Sequence, residues 1–332
     1  MAALLAVVST AAGAADREAR QWLERMSEAL ATRNYEGRFF HLRDERSEAM
    51  RIYHRVDKGK VTERLVSLDG SGREIIRNQT EVICYLPDRR TVLVEKRTDE
   101  NTLLAAVPAY NEQLEAHYNI ERGPFTKALG RRTQVINVTP RDQFRYGYRL
   151  WLDDETAMPL KSQLCDRNGK VIEQILFAEL NFRDRIPADS LKPSITGEGF
   201  RWIRQDAQPQ LAAGQVGGWG VIRLPAGFRL TAWRIQLIAG SSVPVQHLVY
   251  SDGLASVSVF IEPRNPQAEP VKGLAKVGAA FAFSRALDDH QVTAVGEVPP
   301  VTLQAIAAGV TKDQAAAPPA SQPALPPPQP RQ

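Results

Sequence analysis

Five histidines, two cysteines and two pairs of adjacent aspartates are the side chains in this sequence best suited to act as bases, nucleophiles or metal ligands. Neither the histidines nor the cysteines show the H-x-x-x-H or C-x-x-C spacing that directs two ligands to one metal ion. The sequence also lacks the G-x-S-x-G turn that exposes a nucleophilic serine and the glycine-rich loops that bind phosphates. We therefore predict no catalytic, cofactor-binding or metal-binding residues, and the histidines are widely separated: His41, His54, His117, His247 and His290.

The paired aspartates are better explained by backbone geometry than by acid–base chemistry. Asp153-Asp154 and Asp288-Asp289 each fall between two strand-like segments, where an aspartate hydrogen-bonds the backbone of its own turn. His54 lies on the apolar face of a predicted strand, which favours a histidine of the core or of a pocket wall over a catalytic base. The sequence therefore predicts a protein that is not an enzyme.

The two cysteines, Cys84 and Cys165, are 81 residues apart and both lie in strand-like segments. In an oxidising compartment an even number of cysteines makes a disulfide between them a candidate. Such a bridge would close a long loop and stabilise the fold by about 4 kcal/mol in the chain-entropy model. The alternative is two buried thiols on different faces, and the sequence does not decide between them.

Aromatic and basic residues alternate between Phe144 and Trp151, a pattern that could stack bases and contact phosphates. The net charge is only +4, however, and arginines and acids alternate along the whole chain, so no basic block marks a nucleic-acid groove. The pattern is also that of an ordinary strand with two faces, and we favour this interpretation and predict no nucleic-acid partner. One face would carry Tyr146, Tyr148 and Leu150, and the other Arg145, Arg149 and Trp151.

The first fifteen residues predict export. Met1–Ala15 carries no charge, is rich in small and aliphatic residues, and ends in the small-x-small pattern Ala12-Gly13-Ala14 that precedes a signal peptidase site. The stretch is too short to span a bilayer. We therefore predict a signal peptide at residues 1–15 and a periplasmic protein.

A helix followed by short strands dominates residues 16–184. Apolar residues from Ala19 to Leu30 recur at helical spacing, with charged residues on the opposite side. The period then changes to two, and turn sequences such as Asp69-Gly70-Ser71-Gly72 separate the strands. Helical pieces are expected between about Glu100 and Tyr118. The predicted strands are 35–42, 50–56, 61–68, 73–77, 81–86, 91–96, 131–139, 145–152, 160–165 and 171–182.

The amino-acid composition of the chain changes after residue 184. Glycines and prolines between 185 and 218 predict a linker. A smaller α+β unit is expected at 219–312, with strands at 228–237, 245–250, 255–262, 279–287 and 292–298 and a helix at about 301–308. The Pro-, Ala- and Gln-rich residues 313–332 cannot build a core, so a disordered tail is predicted.

A long antiparallel meander with helices can wrap into a half-open barrel whose helices plug its mouth. Its concave face is then an apolar pocket of the kind that takes a lipid or a hydrophobic peptide. Each acyl CH₂ group that leaves water contributes about 0.8 kcal/mol, so such a pocket binds without special polar groups.

Several motifs in order along the chain resemble the MucB/RseB family of periplasmic sigma-factor regulators. The resemblance runs from about residue 16 to residue 310. It is carried by segments that include Trp22-Leu23-x-Arg25-Met26, Asn34-Tyr35-x-Gly37-x-Phe39, Arg73-Glu74-Ile75-Ile76-Arg77, Cys84-Tyr85-x-Pro87 and Arg145-Tyr146-Gly147-Tyr148-Arg149-Leu150-Trp151-Leu152-Asp153.

The resemblance implies a fold and a function. The fold would be α+β and mainly antiparallel, with a lipid-sensing half-open barrel similar to the lipoprotein carriers LolA and LolB and a smaller C-terminal domain that binds the anti-sigma factor. The protein would bind the periplasmic domain of a transmembrane anti-sigma factor, shield it from regulated proteolysis, and release it on binding lipopolysaccharide or mislocalised lipoprotein. The alternative function is a periplasmic lipid or lipoprotein carrier. No cofactor is implied, and a homodimer is left open.

Overall fold

Twelve strands of the N-terminal part pair into one sheet in the computed structural model, which describes residues 8–44, 46–96, 111–205, 218–237, 244–264, 271–277 and 280–312. The strands are β1 Tyr35–Arg43, β2 Arg46–Asp57, β3 Lys60–Ser67, β4 Glu74–Arg77, β5 Glu81–Leu86, β6 Thr91–Lys96, β7 Tyr118–Ala128, β8 Arg131–Pro140, β9 Gly147–Asp153, β10 Pro159–Cys165, β11 Val171–Phe182 and β12 Arg201–Gln205.

The sheet has the order β12-β6-β5-β4-β3-β2-β1-β11-β10-β9-β8-β7, so its two ends do not pair with each other. All neighbouring strands are antiparallel except β12, which runs parallel to β6. The helix α1 (Val8–Thr32) packs its apolar side against β7 and the central strands. Leu23 and Met26 of this helix join a core with Tyr35, Ile52 and Leu150. The predicted α+β fold, mainly antiparallel and built on a half-open barrel, is confirmed.

The edge strand β7 was not predicted from the sequence. Its Gly123-Pro124 pair is typical of a turn, but in the structure the pair lies inside the strand, where the register with β8 shifts between Arg122 and Phe125. A proline is tolerated there because an edge strand has one side on which no backbone donor is needed. Before it, Glu112–Ala116 forms a short 3₁₀ helix, and most of the predicted helical segment, residues 100–110, lies outside the described residues.

The part of the predicted 185–218 linker that ends at residue 205 packs on the N-terminal sheet. Strand β12 lies in this segment and covers the edge of β6, and the preceding residues pack on the outer face of the sheet. Buried Glu74 of β4 accepts hydrogen bonds from the backbone N–H of Ser194 at 3.1 Å and from Arg64 Nε at 3.0 Å. The chain is thereby anchored to the first domain before it crosses to the second.

The C-terminal domain is a six-stranded antiparallel sheet with one helix, in the order β14-β15-β16-β19-β18-β17. A separate two-stranded sheet pairs β13 with β20, and the helix α2 packs on β18 and β19. The elements are β13 Trp219–Val221, β14 Arg229–Leu237, β15 Pro244–Ser251, β16 Ser256–Pro263, β17 Gly273–Val277, β18 Ala280–Leu287, β19 His290–Gly296, α2 Pro300–Gly309 and β20 Val310–Lys312.

The chain termini are only partly described. Helix α1 begins at Val8, inside the predicted signal peptide, and the predicted tail at 313–332 lies outside the described residues. No helix in the described ranges is both long enough and apolar enough to cross a membrane.

Cys84 and Cys165 are both free thiols in the structure. They lie on β5 and β10, which are separated by five other strands of the sheet. A disulfide needs two Cα atoms within about 7 Å, whereas neighbouring strands alone are about 4.8 Å apart. Of the two alternatives that the sequence left open, the structure contains two separate thiols.

His54 is a fully buried histidine of β2, as its position on an apolar strand face predicted. Its ring stacks on Tyr35, with 4.6 Å between ring centroids, and its Nδ1 lies 2.8 Å from the carbonyl oxygen of Arg33. Its Nε2 lies 3.6 Å from Oε1 of Glu63, which is also buried. Burial lowers the pKa of His54 from 6.5 to about 4.

The depressed pKa of His54 predicts acid destabilisation. Between pH 6.5 and 4 the unfolded chain takes up a proton that the native state does not, so the free energy of unfolding should fall by about 3 kcal/mol as the pH is lowered across this window. Urea unfolding measured at several pH values checks this. In His54→Phe the fall should be smaller by about that amount, and an unchanged pH slope would contradict the prediction.

Candidate functional site

A cavity of about 460 Å³ opens on the concave face of the N-terminal sheet, beside the region that α1 fills. Alternate residues of a strand point to the same face of a sheet, so strands β1, β2, β3, β10 and β11 each contribute apolar side chains to its wall. This volume is in the range of ligand pockets. The apolar residues that these strands contribute to the wall are Phe39, Met50, Leu65, Leu164 and Ile175.

Tyr146 and Tyr148 also line this cavity. Tyr146 comes directly before β9, and Tyr148 is the second residue of that strand. The strand begins at Gly147, where its backbone approaches β8 closely. A Cβ atom on Gly147 would lie 2.6 Å from the carbonyl oxygen of Val138, which is backbone and cannot move aside. Glycine is therefore needed to bring the two tyrosines to this wall.

Gly147→Ala is expected to lower the free energy of unfolding by about 1–3 kcal/mol, because the added methyl group overpacks the β8–β9 contact. Gly220→Ala is the matched control, since a Cβ atom there has no atom within 4 Å. The control should change stability by no more than about 0.5 kcal/mol. Urea unfolding of both variants measures the difference, and equal effects would contradict the proposed close approach.

The C-terminal domain forms part of the same cavity. Leu254, Ala255 and Ser256, from the hairpin between β15 and β16, line it together with Glu297, which follows β19. The cavity is thus bounded by both domains, and a molecule that fills it contacts both.

A cluster of charged side chains joins the two domains at this cavity. Glu173 of β11 is bound by Arg43 and by His41, whose Nε2 lies 2.8 Å from Oε1 of Glu173. Arg43 Nη2 also lies 3.0 Å from Oε1 of Glu297 in the second domain. Burial alone would raise the pKa of Glu173, but the hydrogen bonds and charges of His41 and Arg43 outweigh burial and hold that pKa below its usual value.

A second contact between the domains is fully buried. The side chains of Arg145 and Asp252 are both inaccessible to solvent, and Arg145 Nη1 lies 2.7 Å from Asp252 Oδ2. The same carboxylate oxygen accepts a hydrogen bond from Tyr118 Oη at 3.0 Å. Burial, reinforced by the charge of Asp252, raises the pKa of Tyr118 well above 10, so its hydroxyl remains a donor.

Arg145 makes further contacts that fix it in place. Its Nη2 donates to the carbonyl oxygen of Ala226 at 2.5 Å, and its guanidinium lies between the rings of Tyr118 and Phe228. The sequence placed Arg145 on the same strand face as Arg149 and Trp151. That placement is wrong, because the strand begins two residues later and Arg145 turns into the domain interface.

The structure does not bring the five histidines together. His41 lines the cavity, whereas His54 and His247 are buried in the sheets of different domains. The acid pairs are in turns, as predicted: Asp153 Oδ1 accepts the backbone N–H of Thr156 at 2.9 Å. Across the described ranges no three His, Cys, Asp or Glu side chains are grouped so that they could hold a metal ion.

Two family models cover almost all of the chain. The MucB/RseB N-terminal domain matches residues 18–195, and the MucB/RseB C-terminal domain matches residues 213–311. The sigma factor AlgU regulatory protein MucB of Pseudomonas aeruginosa is 32% identical over 322 residues, which are 95% of this chain and 96% of that protein. The sigma-E factor regulatory protein RseB of Escherichia coli K12 is 25% identical over 294 residues, 87% of this chain and 89% of RseB.

Solved structures show the same two-domain fold. A crystal structure of MucB in complex with MucA(peri) superposes with a TM-score of 0.70 at 30% identity and covers 90% of this chain and all of that one. A second complex, of Pseudomonas aeruginosa MucA and MucB, superposes with a TM-score of 0.71 at 30% identity and with the same coverage of both chains. A crystal structure of MucB superposes with a TM-score of 0.62 at 30% identity and covers 90% of this chain and 98% of that chain.

Proposed function

Since this chain belongs to the MucB/RseB family of sigma-factor regulatory proteins, we propose that it binds the periplasmic domain of a transmembrane anti-sigma factor. In this proposal it acts in the periplasm, without catalysis, and shields the anti-sigma factor from regulated proteolysis. It releases its partner when acyl chains of lipopolysaccharide or of a mislocalised lipoprotein occupy the cavity.

The relatives support the first part of the proposal. MucB forms a complex with the periplasmic part of MucA, and this chain spans both of the domains that MucB contains. The present structure superposes on the two complexes of MucB with MucA with TM-scores of 0.70 and 0.71.

The observation that carries the lipid-dependent part is the shared lining of the cavity. Its apolar wall comes from the N-terminal sheet, while Leu254, Ala255, Ser256 and Glu297 come from the C-terminal domain. A ligand shifts a conformational equilibrium only if it binds the two states differently. An acyl chain that enters between the domains meets this condition, because it must contact or displace the C-terminal hairpin.

A lipid carrier is less well supported than a regulator. A carrier needs a pocket that fills and empties, and the N-terminal sheet alone would supply one. Here the second domain lies against the pocket and is tied to the first by the buried pair of Arg145 and Asp252. This connection is expected in a regulator, because it lets occupancy of the pocket affect a binding surface on the second domain.

The test uses the purified full chain and the periplasmic segment of a MucA-like anti-sigma factor from the same organism. Calorimetry should show binding of the segment, and lipid A added in detergent below its micellar concentration should weaken that binding at least about fivefold, the lower range of allosteric coupling. Detergent alone is the control. Absence of binding, or binding that is indifferent to lipid A, would refute the proposal.

A further inference from the structure

Two arginines that line the cavity have unused hydrogen-bond donors. Arg43 uses Nη2 for both of its carboxylate partners, Glu173 and Glu297. Arg73 uses Nη2 to bind Glu48 at 3.0 Å. The Nε–H groups of both arginines are buried and meet no acceptor among the described residues. Buried donors are normally paired, so both arginines have room for an acceptor that the protein itself does not provide.

The charges that line the cavity balance only when the second domain is counted. Arg43 and Arg73 carry two positive charges, and Glu173 and Glu297 carry two negative charges. If Glu297 moves away, the residues that line the cavity carry one positive charge in excess, while Glu48 outside the lining still binds Arg73. A wall with an excess positive charge and free N–H donors favours an anion.

Glu297 is the carboxylate of this cluster that can leave. The side chain of Glu173 is 7% exposed and lies on a central strand, where its register partner Arg43 and His41, both on β1, hold it from within the same sheet. The side chain of Glu297 is 52% exposed and belongs to the other domain. An exposed ion pair contributes little, so an incoming anion can replace Glu297 at small cost.

We propose that Arg43 is the anion-binding residue of this cavity and that Glu297 occupies it when the cavity is empty. The ligand class is an amphiphile with an acyl chain for the apolar wall and an anionic headgroup, such as a phosphate, for the Arg43 guanidinium. The headgroup and the C-terminal domain therefore compete for one side chain. The consequence for the anti-sigma factor rests on the function proposed above, whereas the competition itself does not.

The competition can leave the domains connected. Arg145 and Asp252 are buried and do not line the cavity; of this contact only Tyr118, which donates to Asp252, forms part of the lining. Exchange at Arg43 then frees the side of the C-terminal domain that carries Glu297 while the other contact holds. Binding of the headgroup is thereby coupled to the position of the C-terminal domain relative to the N-terminal domain.

The test compares dodecyl phosphate with dodecyl maltoside, both below their micellar concentrations, on the full chain. Glu297→Gln removes the competing charge and should tighten binding of dodecyl phosphate about 5- to 20-fold, with little change for dodecyl maltoside. Arg43→Gln should abolish the preference for the phosphate, and Arg43→Lys should restore part of it. Urea unfolding of each variant verifies that it is folded.

Glu179→Gln is the matched control for Glu297→Gln. Its side chain is 51% exposed and pairs with Arg38 at 3.7 Å, but it does not line the cavity. This variant should bind both probes as the wild type does. Unchanged phosphate binding in Glu297→Gln, or a phosphate preference that survives in folded Arg43→Gln, would overturn the proposal.

The two proposals fail in different ways. If the wild type prefers dodecyl phosphate but never releases the anti-sigma segment, the anion site stands and the regulatory function fails. If lipid A releases the segment from the wild type, Glu297→Gln and Arg43→Gln with equal potency, the regulatory function stands and the competition at Arg43 is refuted.

Discussion

Replacing Arg145 with methionine is expected to lower the free energy of unfolding by about 3–5 kcal/mol, the usual effect of removing one partner of a buried ion pair. The carboxylate of Asp252 would remain fully buried, with only Tyr118 and the backbone N–H groups of its own turn as donors. Because the pair joins the domains, the variant should also lose cooperativity between them. Urea unfolding followed by circular dichroism and tryptophan fluorescence should then show two separated transitions.

Arg149→Met is the matched control for this prediction. Arg149 lies four residues further along the chain, is exposed, and makes one long hydrogen bond to Asn137 at 3.3 Å. Its loss should change stability by no more than about 0.5 kcal/mol. An Arg145→Met protein that unfolds in the same transition as the control would show that the buried pair does not couple the domains.

Replacing Leu164 with tryptophan is expected to remove most acyl-chain binding. Leu164 is buried in the cavity wall, and a larger side chain there occupies space that an acyl chain would fill. Exclusion of about four methylene groups costs about 3 kcal/mol, which weakens binding more than about 100-fold. Calorimetric titration with dodecyl phosphate and dodecyl maltoside measures the change, and both probes should be affected alike.

Leu68→Trp introduces the same side chain at an exposed position outside the cavity, where Leu68 is 48% exposed. It should bind both probes as the wild type does. Retention of acyl binding by a folded Leu164→Trp protein would place the acyl chain elsewhere, for example on an exposed face of the C-terminal domain.

Most of the strands could be predicted because local physical chemistry defines them. Alternating apolar residues between turn sequences give β5 and β6 with the observed ends, and the aspartate turn at Asp153 forms with the hydrogen bonds that such turns use. The prediction failed where tertiary contacts decide. β12 has a short, mixed sequence and becomes a strand because the exposed edge of β6 is available to pair with it.

The sequence predicted an apolar pocket but not the contacts between the two domains that surround it. The sequence indicated an apolar pocket on a half-open barrel, because antiparallel strands with one apolar face must cover that face. It gave no sign that Arg145 and Asp252, 107 residues apart, would meet in a buried contact. Nor did it show that Arg43 and Glu297 would pair across the cavity, 254 residues apart. Such contacts depend on how two domains pack, and no local pattern encodes that packing.

The pairing of β13 with β20 has a consequence for labelling and for mechanical coupling. Trp219 and Lys312 are register partners, so the chain enters and leaves the C-terminal domain at neighbouring points. A fluorophore attached after residue 312 would start beside the junction with the preceding segment and would report poorly on rotation of the domain. Tension between that junction and the C terminus would act on this short ladder of hydrogen bonds before it reached the six-stranded sheet.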